Sequence, residues 1–501
     1  MNLRPSTYLS EEQVRSGLKL VIKDGLATET MTALTGGAFL VSMALLMGAS
    51  NFQIGVLAAL PTFTNIFQLL SIWLVRQYRN RRGIAVVCAL FARFPLLLIG
   101  ALPLLFPSAA TVQALIFFLL FFYFFGSIAG PTWNSWMKDL VPENILGVYF
   151  SHRSRLMQTL NVIMSLLVAL TIDFVKKNYP GAELTTYACM FIAGGMVGLC
   201  SAYFLSRTPE PQSSLANEHI LKLLKKPLQN VNFRNLLVFN CFWVFAINMA
   251  TPFFVVYMMK SIGLPLSYII GFGILAQLSS ILSLKLWGRY ADNYSNKTII
   301  AIGAPLYIVC IVSWCFVGQS ANFLTNIILL SIINIITGFS TAGINLSLTN
   351  IGLKLAPKED ALVYLSAKNI ITAFFSSIAP VVGGWLADLF GDKQMSWSMQ
   401  WGNAIKMKQV YVFALQQWNF LFLIAALLAL LSIKLLKRVQ ETGEVEKNFV
   451  TKVLRSDLKN SLKENFVVSY LIQWPNVSTR KKRISLPADK NAANSEETKR
   501  A

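Results

Sequence analysis

The feature of this sequence that most constrains its fold is a series of apolar runs, each long enough to cross a lipid bilayer. About 20 residues at a helical rise of about 1.5 Å span a hydrocarbon core of about 30 Å. The runs are continuously apolar and do not alternate, which favours helices over the strands of a membrane barrel. About twelve helices are predicted, at 28–49, 52–75, 84–106, 110–138, 156–176, 185–205, 235–259, 265–287, 298–318, 322–350, 368–389 and 411–436.

The composition agrees with a membrane protein. Of 501 residues, 55% are apolar and 13% are charged, whereas soluble domains carry about 25% charged residues. The formal net charge is +21, but the basic residues lie between the apolar runs and after residue 436, which is typical of the cytoplasmic side of a membrane and not of a nucleic-acid groove. The six cysteines form no Cys-x-x-Cys pair and the two histidines stand apart, so no metal site and no cofactor are expected.

The distribution of Lys and Arg between the runs predicts the orientation of the chain. The segment after the second run holds Arg79, Arg81 and Arg82, whereas the segments on the other side hold few cations, such as Lys176 and Lys177. Because cytoplasmic loops carry the excess of basic residues, both termini are expected in the cytoplasm, with the chain in the plasma (inner) membrane. The first residues lack the apolar core and cleavage site of a signal peptide.

A polar stretch divides the apolar runs into six and six. We therefore predict a cytoplasmic N-terminal segment, a first six-helix bundle, a cytoplasmic linker, a second six-helix bundle and a basic cytoplasmic tail, at 1–27, 28–205, 206–234, 235–436 and 437–501. Within the tail, an amphipathic helix is expected near 447–466. Arg480–Arg483 either meet anionic lipid headgroups or belong to a solvated end.

The two halves repeat each other at a nearly constant offset. LVPENILGVYFSHRSRL at 140–156 aligns with LAPKEDALVYLSAKNII at 355–371. The aligned pairs are Tyr149 with Tyr364, Ser151 with Ser366, Arg153 with Lys368, and Asp173 with Asp388. A duplicated six-helix unit is the architecture of many secondary transporters, in which the binding site lies between the halves.

The loop GRYADNYSNK at 288–297 resembles the loop between helices eight and nine of the major facilitator superfamily. The resemblance implies an all-α integral membrane protein, with about twelve transmembrane helices in two pseudo-symmetric six-helix bundles. It also implies a cytoplasmic gate, in which Gly288 permits close helix approach and Asp292 pairs with a cation. Lys297, Arg153 and Lys368 complete the candidate gate residues.

The same resemblance implies that helices one, four, seven and ten line the substrate cavity. The candidate substrate-binding residues are Trp133, Asn134 and Trp136 on helix four, Asn240, Trp243 and Asn248 on helix seven, and Asn345 and Thr349 on helix ten. An amide in hydrocarbon is costly unless it meets a partner. These residues therefore form either a hydrogen-bonding cavity with aromatic walls or contacts between helices.

Two charged residues within the predicted spans are candidates for ion coupling. Arg93 lies deep in helix three, where a charge costs about 2.5 kcal/mol or more without a partner or water. Its alternative role is a structural salt bridge. Glu29, near the start of helix one, is the candidate proton carrier, and its alternative role is to interact with the helix dipole. Asp173 and Asp388 lie near outer helix ends and are expected to be gate or interface charges.

Together these observations predict a secondary active transporter that moves a small solute by alternating access. The expected partners are a small-molecule substrate, the lipid bilayer and a coupling proton or other ion, without nucleic acid, and the chain is expected to be a monomer. No G-x-x-x-x-G-K-[ST] motif indicates an ATP-driven motor. The alternatives are a transporter-fold lipid translocator or sensor, or a membrane-embedded enzyme. Neutral polar solutes fit the candidate residues, while Arg93 and Lys138 leave anions open.

Overall fold

A computed structural model describes residues 6, 9–106, 111–142, 145–212, 226–319, 322–357, 361–403 and 406–441. Within these residues, twelve helices are long and apolar enough to cross a membrane, so the chain is a multi-pass membrane protein. The predicted helix at 447–466 and the basic run Arg480–Arg483 lie outside the described residues.

The helices are numbered here in chain order, and three of them are interrupted. Helix 1 comprises Glu11–Thr35 and Gly37–Leu46, helix 2 comprises Asn51–Thr64, a 3-10 turn and Gln68–Tyr78, and helix 9 comprises Asn296–Ser313 and a 3-10 turn. The others are helix 3 (Arg81–Leu105), helix 4 (Val112–Leu140), helix 5 (Leu146–Asn178), helix 6 (Glu183–Arg207), helix 7 (Val231–Lys260), helix 8 (Leu266–Asn293), helix 10 (Phe323–Leu355), helix 11 (Ala361–Leu389) and helix 12 (Gln417–Leu436).

Helix 1 begins well before residue 28, where the apolar run suggested its start. Ser10 caps the helix by accepting a hydrogen bond from the backbone N–H of Gln13, and the Gln13 side chain accepts one from the Ser10 N–H. Such a reciprocal pair satisfies two N–H groups that otherwise lack partners at a helix start. The predicted start was therefore wrong, because the polar first turns of a helix carry no hydropathy signal.

The start of helix 12 also differs from the prediction. Strands β1 (Gln394–Asn403) and β2 (Lys406–Gln416) form an antiparallel hairpin between helices 11 and 12. Helix 12 begins only at Gln417, so the helix predicted from residue 411 was wrong over its first turns. The segment at 406–416 contains aromatic and β-branched residues, which favour a strand over a helix.

The twelve helices confirm the predicted architecture of two repeated six-helix units. Helix 1 packs against helices 5 and 6, and helix 7 packs against helices 11 and 12 in the same way. We call the side on which helix 1 begins and helix 12 ends the terminal face, and the opposite side the far face.

At the terminal face, each half is closed on itself by a carboxylate that follows its sixth helix. Glu210 accepts hydrogen bonds from the backbone N–H groups of Arg81 and Arg82, at 2.9 and 3.0 Å, and thereby caps helix 3. In the second half, Glu441 accepts a hydrogen bond from the backbone N–H of Lys297 at 2.8 Å and caps helix 9. A carboxylate is favourable at a helix N-terminus because the N–H groups there lack partners and the dipole is positive.

Candidate functional site

The two halves are joined at the far face by a repeated pair of contacts. The Asp173 carboxylate, at the end of helix 5, accepts hydrogen bonds from the backbone N–H groups of Leu266 and Ser267, at 2.9 and 2.8 Å. The Asp388 carboxylate, at the end of helix 11, accepts them from Asn51 and Phe52, at 3.2 and 2.8 Å. Each carboxylate thus caps a helix of the other half. We call these two contacts the far-face latches.

Close backbone packing surrounds the second latch. A Cβ atom at Gly55 of helix 2 would collide with the backbone carbonyl oxygen of Pro380 in helix 11. A Cβ atom at Gly384 of helix 11 would collide with the carbonyl oxygen of Asn51. Because only glycine leaves room for two backbones to approach this closely, the sequence itself permits the contact of helices 2 and 11.

The ion pairs of the terminal face do not join the halves. Among the residues that the structure describes, Arg81 pairs with Asp139 at 2.5 Å and with Glu210 at 3.1 Å, all within the first half. Lys354 pairs with Glu441 at 3.1 Å within the second half. Among the described residues, the carboxylates that bridge the halves are therefore those of the far face, and these terminal-face ion pairs each lie within one half.

A first cavity, of about 440 Å³, lies between helices of both halves. Its polar lining comprises Asn161 and Ser165 from helix 5, Thr251 from helix 7, Gln277 from helix 8, Tyr307 from helix 9, and Asn334 and Thr337 from helix 10. Its apolar wall includes Phe254 and Trp314, whose rings stack at 4.4 Å with an interplanar angle of 10°. The cavity offers amide and hydroxyl groups beside a flat aromatic surface.

A second cavity, of about 460 Å³, is lined by helices 2, 4 and 11. Hydroxyl and amide side chains dominate it, and Asn65 accepts a hydrogen bond from Gln68 at 3.1 Å. The side-chain amides of Asn369 here and Gln277 in the first cavity make no hydrogen bond to any other residue that the structure describes. None of the described residues that line the two cavities is charged. Both volumes fall within the range of about 300–1,000 Å³ that is usual for small-molecule sites.

The three candidate residues of helix 4 lie outside both cavities. Trp136 is completely buried, and its Nε1–H donates a hydrogen bond to the carbonyl of Pro209 at 3.0 Å. The Trp133 ring lies under the guanidinium of Arg153, 4.8 Å from its centroid. Asn134 is exposed. The two tryptophans therefore pack inside the first half, which is the alternative that the sequence left open.

The candidate residues of helices 7 and 10 also lie outside the two cavities. Asn240 is buried and donates a hydrogen bond to Thr372 Oγ1 at 2.6 Å, joining helix 7 to helix 11. Trp243 is buried against Phe239 and Tyr307, and Asn248 bonds to the carbonyl of Val244 in its own helix. On helix 10, the exposed Thr349 donates a hydrogen bond to the carbonyl of the exposed Asn345, in its own helix.

The candidate gate residues differ in their surroundings. A Cβ atom at Gly288 would meet no described atom within 4 Å, so this glycine makes no close helix contact in this conformation. The Asp292 side chain lies outside the described residues, and Lys297 contributes its backbone N–H to the cap by Glu441. Arg153 bonds to the Val21 carbonyl at 3.4 Å, and Lys368 bonds to that of Leu348 at 2.5 Å.

The two coupling candidates occupy neighbouring polar contacts. Glu29 accepts a hydrogen bond from Asn161, a residue of the first cavity, at 2.7 Å. Arg93 donates a hydrogen bond to the hydroxyl of Ser201 at 2.9 Å, and the same hydroxyl donates to Asp24 at 2.5 Å. Arg93 thus has the partner that its depth in the membrane required, in the form of a buried acid reached through a serine.

Sequence reasoning missed Asp24 and the second cavity. Asp24 precedes residue 28 and was assigned to a polar N-terminal segment, although the Ser10–Gln13 capping pattern places it well inside helix 1. The polar residues Asn65 and Gln68 interrupt the apolar run of helix 2, which was the available signal. They were passed over because the resemblance assigned the cavity to other helices.

Comparison with known proteins gives one family. The sequence profile described as Major Facilitator Superfamily matches residues 26–361, which is more than half of the chain. No curated protein sequence matches the chain.

Several solved structures share the fold. The nucleoside transporter NupG has a TM-score of 0.61 at 12% identity, covering 86% of this chain and 100% of that chain. A bacterial homologue of the iron transporter ferroportin in an inward-facing state also has a TM-score of 0.61 at 12% identity, covering 86% of this chain and 100% of the homologue. The inward-open xylose transporter XylE from E. coli has a TM-score of 0.56 at 14% identity, covering 88% of this chain and 98% of that chain. Identities this low establish a common fold and leave the substrate to the residues of this chain.

Proposed function

This chain belongs to the major facilitator superfamily, and from that premise we propose that it is a secondary active transporter of a small neutral solute, working by alternating access. The observation that carries the proposal is that the far-face latches bridge the halves, whereas the ion pairs described at the terminal face, Arg81 with Asp139 and Lys354 with Glu441, lie within one half each. Two bundles joined at one end, with cavities lined by helices of both, have the geometry of one state of a rocking transporter.

The lining of the two cavities supports a neutral, hydrogen-bonding substrate. Neither cavity carries a charged side chain, and the free amides of Gln277 and Asn369 offer donors and acceptors. The stacked rings of Phe254 and Trp314 offer a flat apolar surface. A solute with hydroxyl or amide groups and one apolar face matches both features.

The orientation, coupling and assembly complete the proposal. The excess of basic residues supports a terminal face in the cytoplasm of a plasma (inner) membrane protein, and with that orientation the present conformation is inward-facing. Glu29 contacts a cavity residue and is positioned to relay a coupling proton between the cavity and the interior of the first half. In the outward-facing state the loop with Gly288, Asp292 and Lys297 closes the terminal face. The monomer contains both halves and is the transporting unit.

A stability screen tests the substrate class. Full-length protein in detergent is heated with neutral polyols, nucleosides and amides, and with carboxylate and phosphate compounds as the charged comparison set. A ligand at a concentration 100 times its Kd stabilises the folded state by about 2.7 kcal/mol. We expect stabilisation by a neutral compound and not by the anions. Stabilisation by anions alone would contradict the neutral substrate.

Cavity variants then locate the site. Gln277→Ala and Asn369→Ala should each weaken the stabilisation by a hit compound, because each removes a free amide from a cavity. The matched control is Gln77→Ala, which removes an exposed amide at the end of helix 2. Asn134→Ala removes an amide outside both cavities and should also have no effect. An equal loss in all four variants would remove the two cavities from the site.

A further inference from the structure

A buried polar cluster joins helices 1, 3 and 6 behind the first cavity. Asp24 is 5% exposed, and its carboxylate accepts a hydrogen bond from the Ser201 hydroxyl at 2.5 Å. Arg93, 9% exposed, donates to the same hydroxyl oxygen at 2.9 Å, and the Thr28 hydroxyl lies 2.8 Å from it. The Arg93 Nε atom is buried without a hydrogen-bond partner among the described residues. The hydrogen-bonding capacity of the cluster is therefore incompletely satisfied, although the cluster holds the Asp24 carboxylate and the Arg93 guanidinium inside a membrane helix bundle.

The second half of the molecule shows that the fold does not need this cluster. The spacing that relates Asp173 to Asp388 also relates Asp24 to Phe239 and Arg93 to Ile308. Both counterparts are buried apolar residues. Replacing a buried ion pair by packed apolar residues is often neutral or stabilising.

Ser201 of the cluster can be compared with its counterpart in the second half in the same way. The spacing that relates Glu210 to Glu441 relates Ser201 to Ser432, which is also fully buried. The Ser432 hydroxyl donates to the carbonyl of Ala429 in its own helix and bridges no ionic groups. Helix packing alone therefore accounts for the residues at these positions in the second half. The buried charges of Asp24 and Arg93 in the first half need another explanation.

Charged and titratable groups on helices 3 and 5 interact with Asp24. They are Arg93 on helix 3, and Arg153 and Tyr149 on helix 5. Helix 6 contributes the Ser201 hydroxyl, and Glu29 on helix 1 interacts with Arg153. The Arg153 guanidinium packs against the residue next to Asp24, because a Cβ atom at Gly25 would lie 2.7 Å from its Nη2. Two guanidinium groups beside one carboxylate repel a metal cation such as Na⁺, whereas a proton binds the carboxylate covalently and needs no further ligands.

A route from the cavity to the cluster runs along helix 1. Asn161 lines the first cavity and donates a hydrogen bond to Glu29. The Arg153 guanidinium interacts electrostatically with both Glu29 and Asp24, so polar side chains lead from the cavity to Asp24. We infer that Asp24 is a proton-binding site that takes one proton from cavity water and returns it during each transport cycle, an inference that rests on the transport function proposed above.

Protonation changes the charge balance of the cluster. When a hydronium ion gives its proton to the Asp24 carboxylate, water and a neutral carboxylic acid result, and Arg93 and Arg153 lose the negative charge with which both interact. The attraction of helices 3 and 5 to helix 1 is then weaker. Proton uptake at this site therefore biases the position of helix 1, which also packs against helices 7 and 8 at the far face.

Infrared difference spectroscopy tests the site without a known substrate. Full-length protein in phosphatidylcholine vesicles is titrated with acid, and the carbonyl stretch of protonated carboxylic acids is recorded. We expect a band from a buried acid that is lost in Asp24→Asn and kept in Glu183→Gln, an acid at the far-face end of helix 6. If Asp24→Asn fails to fold, Asp24→Phe with Arg93→Ile copies the second half and should fold without the band. A band unchanged in a folded Asp24 variant would overturn the inference.

Spin-label distances across the terminal face give a second readout. If one proton is linked to the change of conformation, the ratio of the two states changes by up to about tenfold per pH unit. We expect this dependence in the wild type and a constant ratio in the Asp24 variants. A constant ratio in the wild type, or stabilisation by Na⁺ that Asp24→Asn abolishes, would overturn the proton site.

Failure of this inference is distinguishable from failure of the transport function. Solute uptake with unchanged pH dependence in a folded Asp24 variant would remove the proton site and leave the transporter. Absence of any solute movement or binding in the wild type would instead remove the transport function, whatever the infrared result.

Discussion

At the scale of single residues, four carboxylates have the same role at different places. Glu210 and Glu441 cap helices within their own halves, and Asp173 and Asp388 cap helices of the opposite half. The pairing of Asp173 with Asp388 was visible in the repeat, and their position near helix ends indicated an interface. Glu210 and Glu441 lie outside the helices, where no periodic pattern marks them. Asp24 was missed for a related reason, because hydropathy does not report a polar first turn.

Glu441 gives a prediction on stability and pH. Burial raises the pKa of this carboxyl, but hydrogen bonds from the Lys297 N–H, the Asn296 amide and Lys354 outweigh it and hold the pKa below its ordinary value. A carboxyl with a lowered pKa stabilises the fold above its ordinary pKa of about 4.3, and this contribution is lost as the pH falls through the lowered value. Glu441→Gln should therefore lower the free energy of unfolding by about 1–3 kcal/mol at neutral pH.

Thermal unfolding at neutral and acidic pH measures this effect. The difference between wild type and Glu441→Gln should shrink in acid, because both side chains are then uncharged. Asp392→Asn, at an exposed acid on the other face, is the control and should match the wild type at neutral pH. A difference that grows in acid would contradict the assignment of Glu441 as a charged cap.

At the scale of elements, the sequence predicted the helices well and the chain between them poorly. Twelve helices follow directly from apolar length, since a membrane protein must satisfy its backbone within each span. The hairpin of β1 and β2 was missed because its aromatic residues continue the apolar run of helix 12. The cavity helices were partly misassigned, since the second cavity lies between helices 2, 4 and 11.

The packing of helices 2 and 11 gives a prediction at this scale. Gly55→Ala should separate these helices, because the new methyl group would collide with the backbone oxygen of Pro380. Overpacking of this kind costs about 1–3 kcal/mol. Crosslinking of cysteine pairs across helices 2 and 11 should become slower. Gly271→Ala on helix 8 adds the same methyl group in open space and should leave the rate unchanged. Equal effects of both substitutions would show that the close contact is unimportant.

At the scale of the whole molecule, the proposed alternating access requires that one face of the protein closes when the other face opens. The present conformation has latches between the halves at the far face, while the terminal-face ion pairs lie within each half. The repeat predicted a site between two halves, and the structure supplies cavities there. Which face is joined could not be predicted from the sequence, because a single sequence must encode both states with similar free energies.

The most direct test of this account is a pair of spin-label distances in the double variant Asp173→Asn, Asp388→Asn. Labels at Asn178 and Ser261 report on the far face, and labels at Gln77 and Asn293 report on the terminal face; all four positions are exposed. Loss of a charge at a helix N-terminus costs about 0.3–1 kcal/mol at each latch, so the ratio of the two states should change by about threefold to thirtyfold in the double variant. We predict that the far-face distance lengthens while the terminal-face distance shortens. Distances that change in the same direction, or a far face that opens while the terminal face stays as it is, would contradict alternating access in this protein.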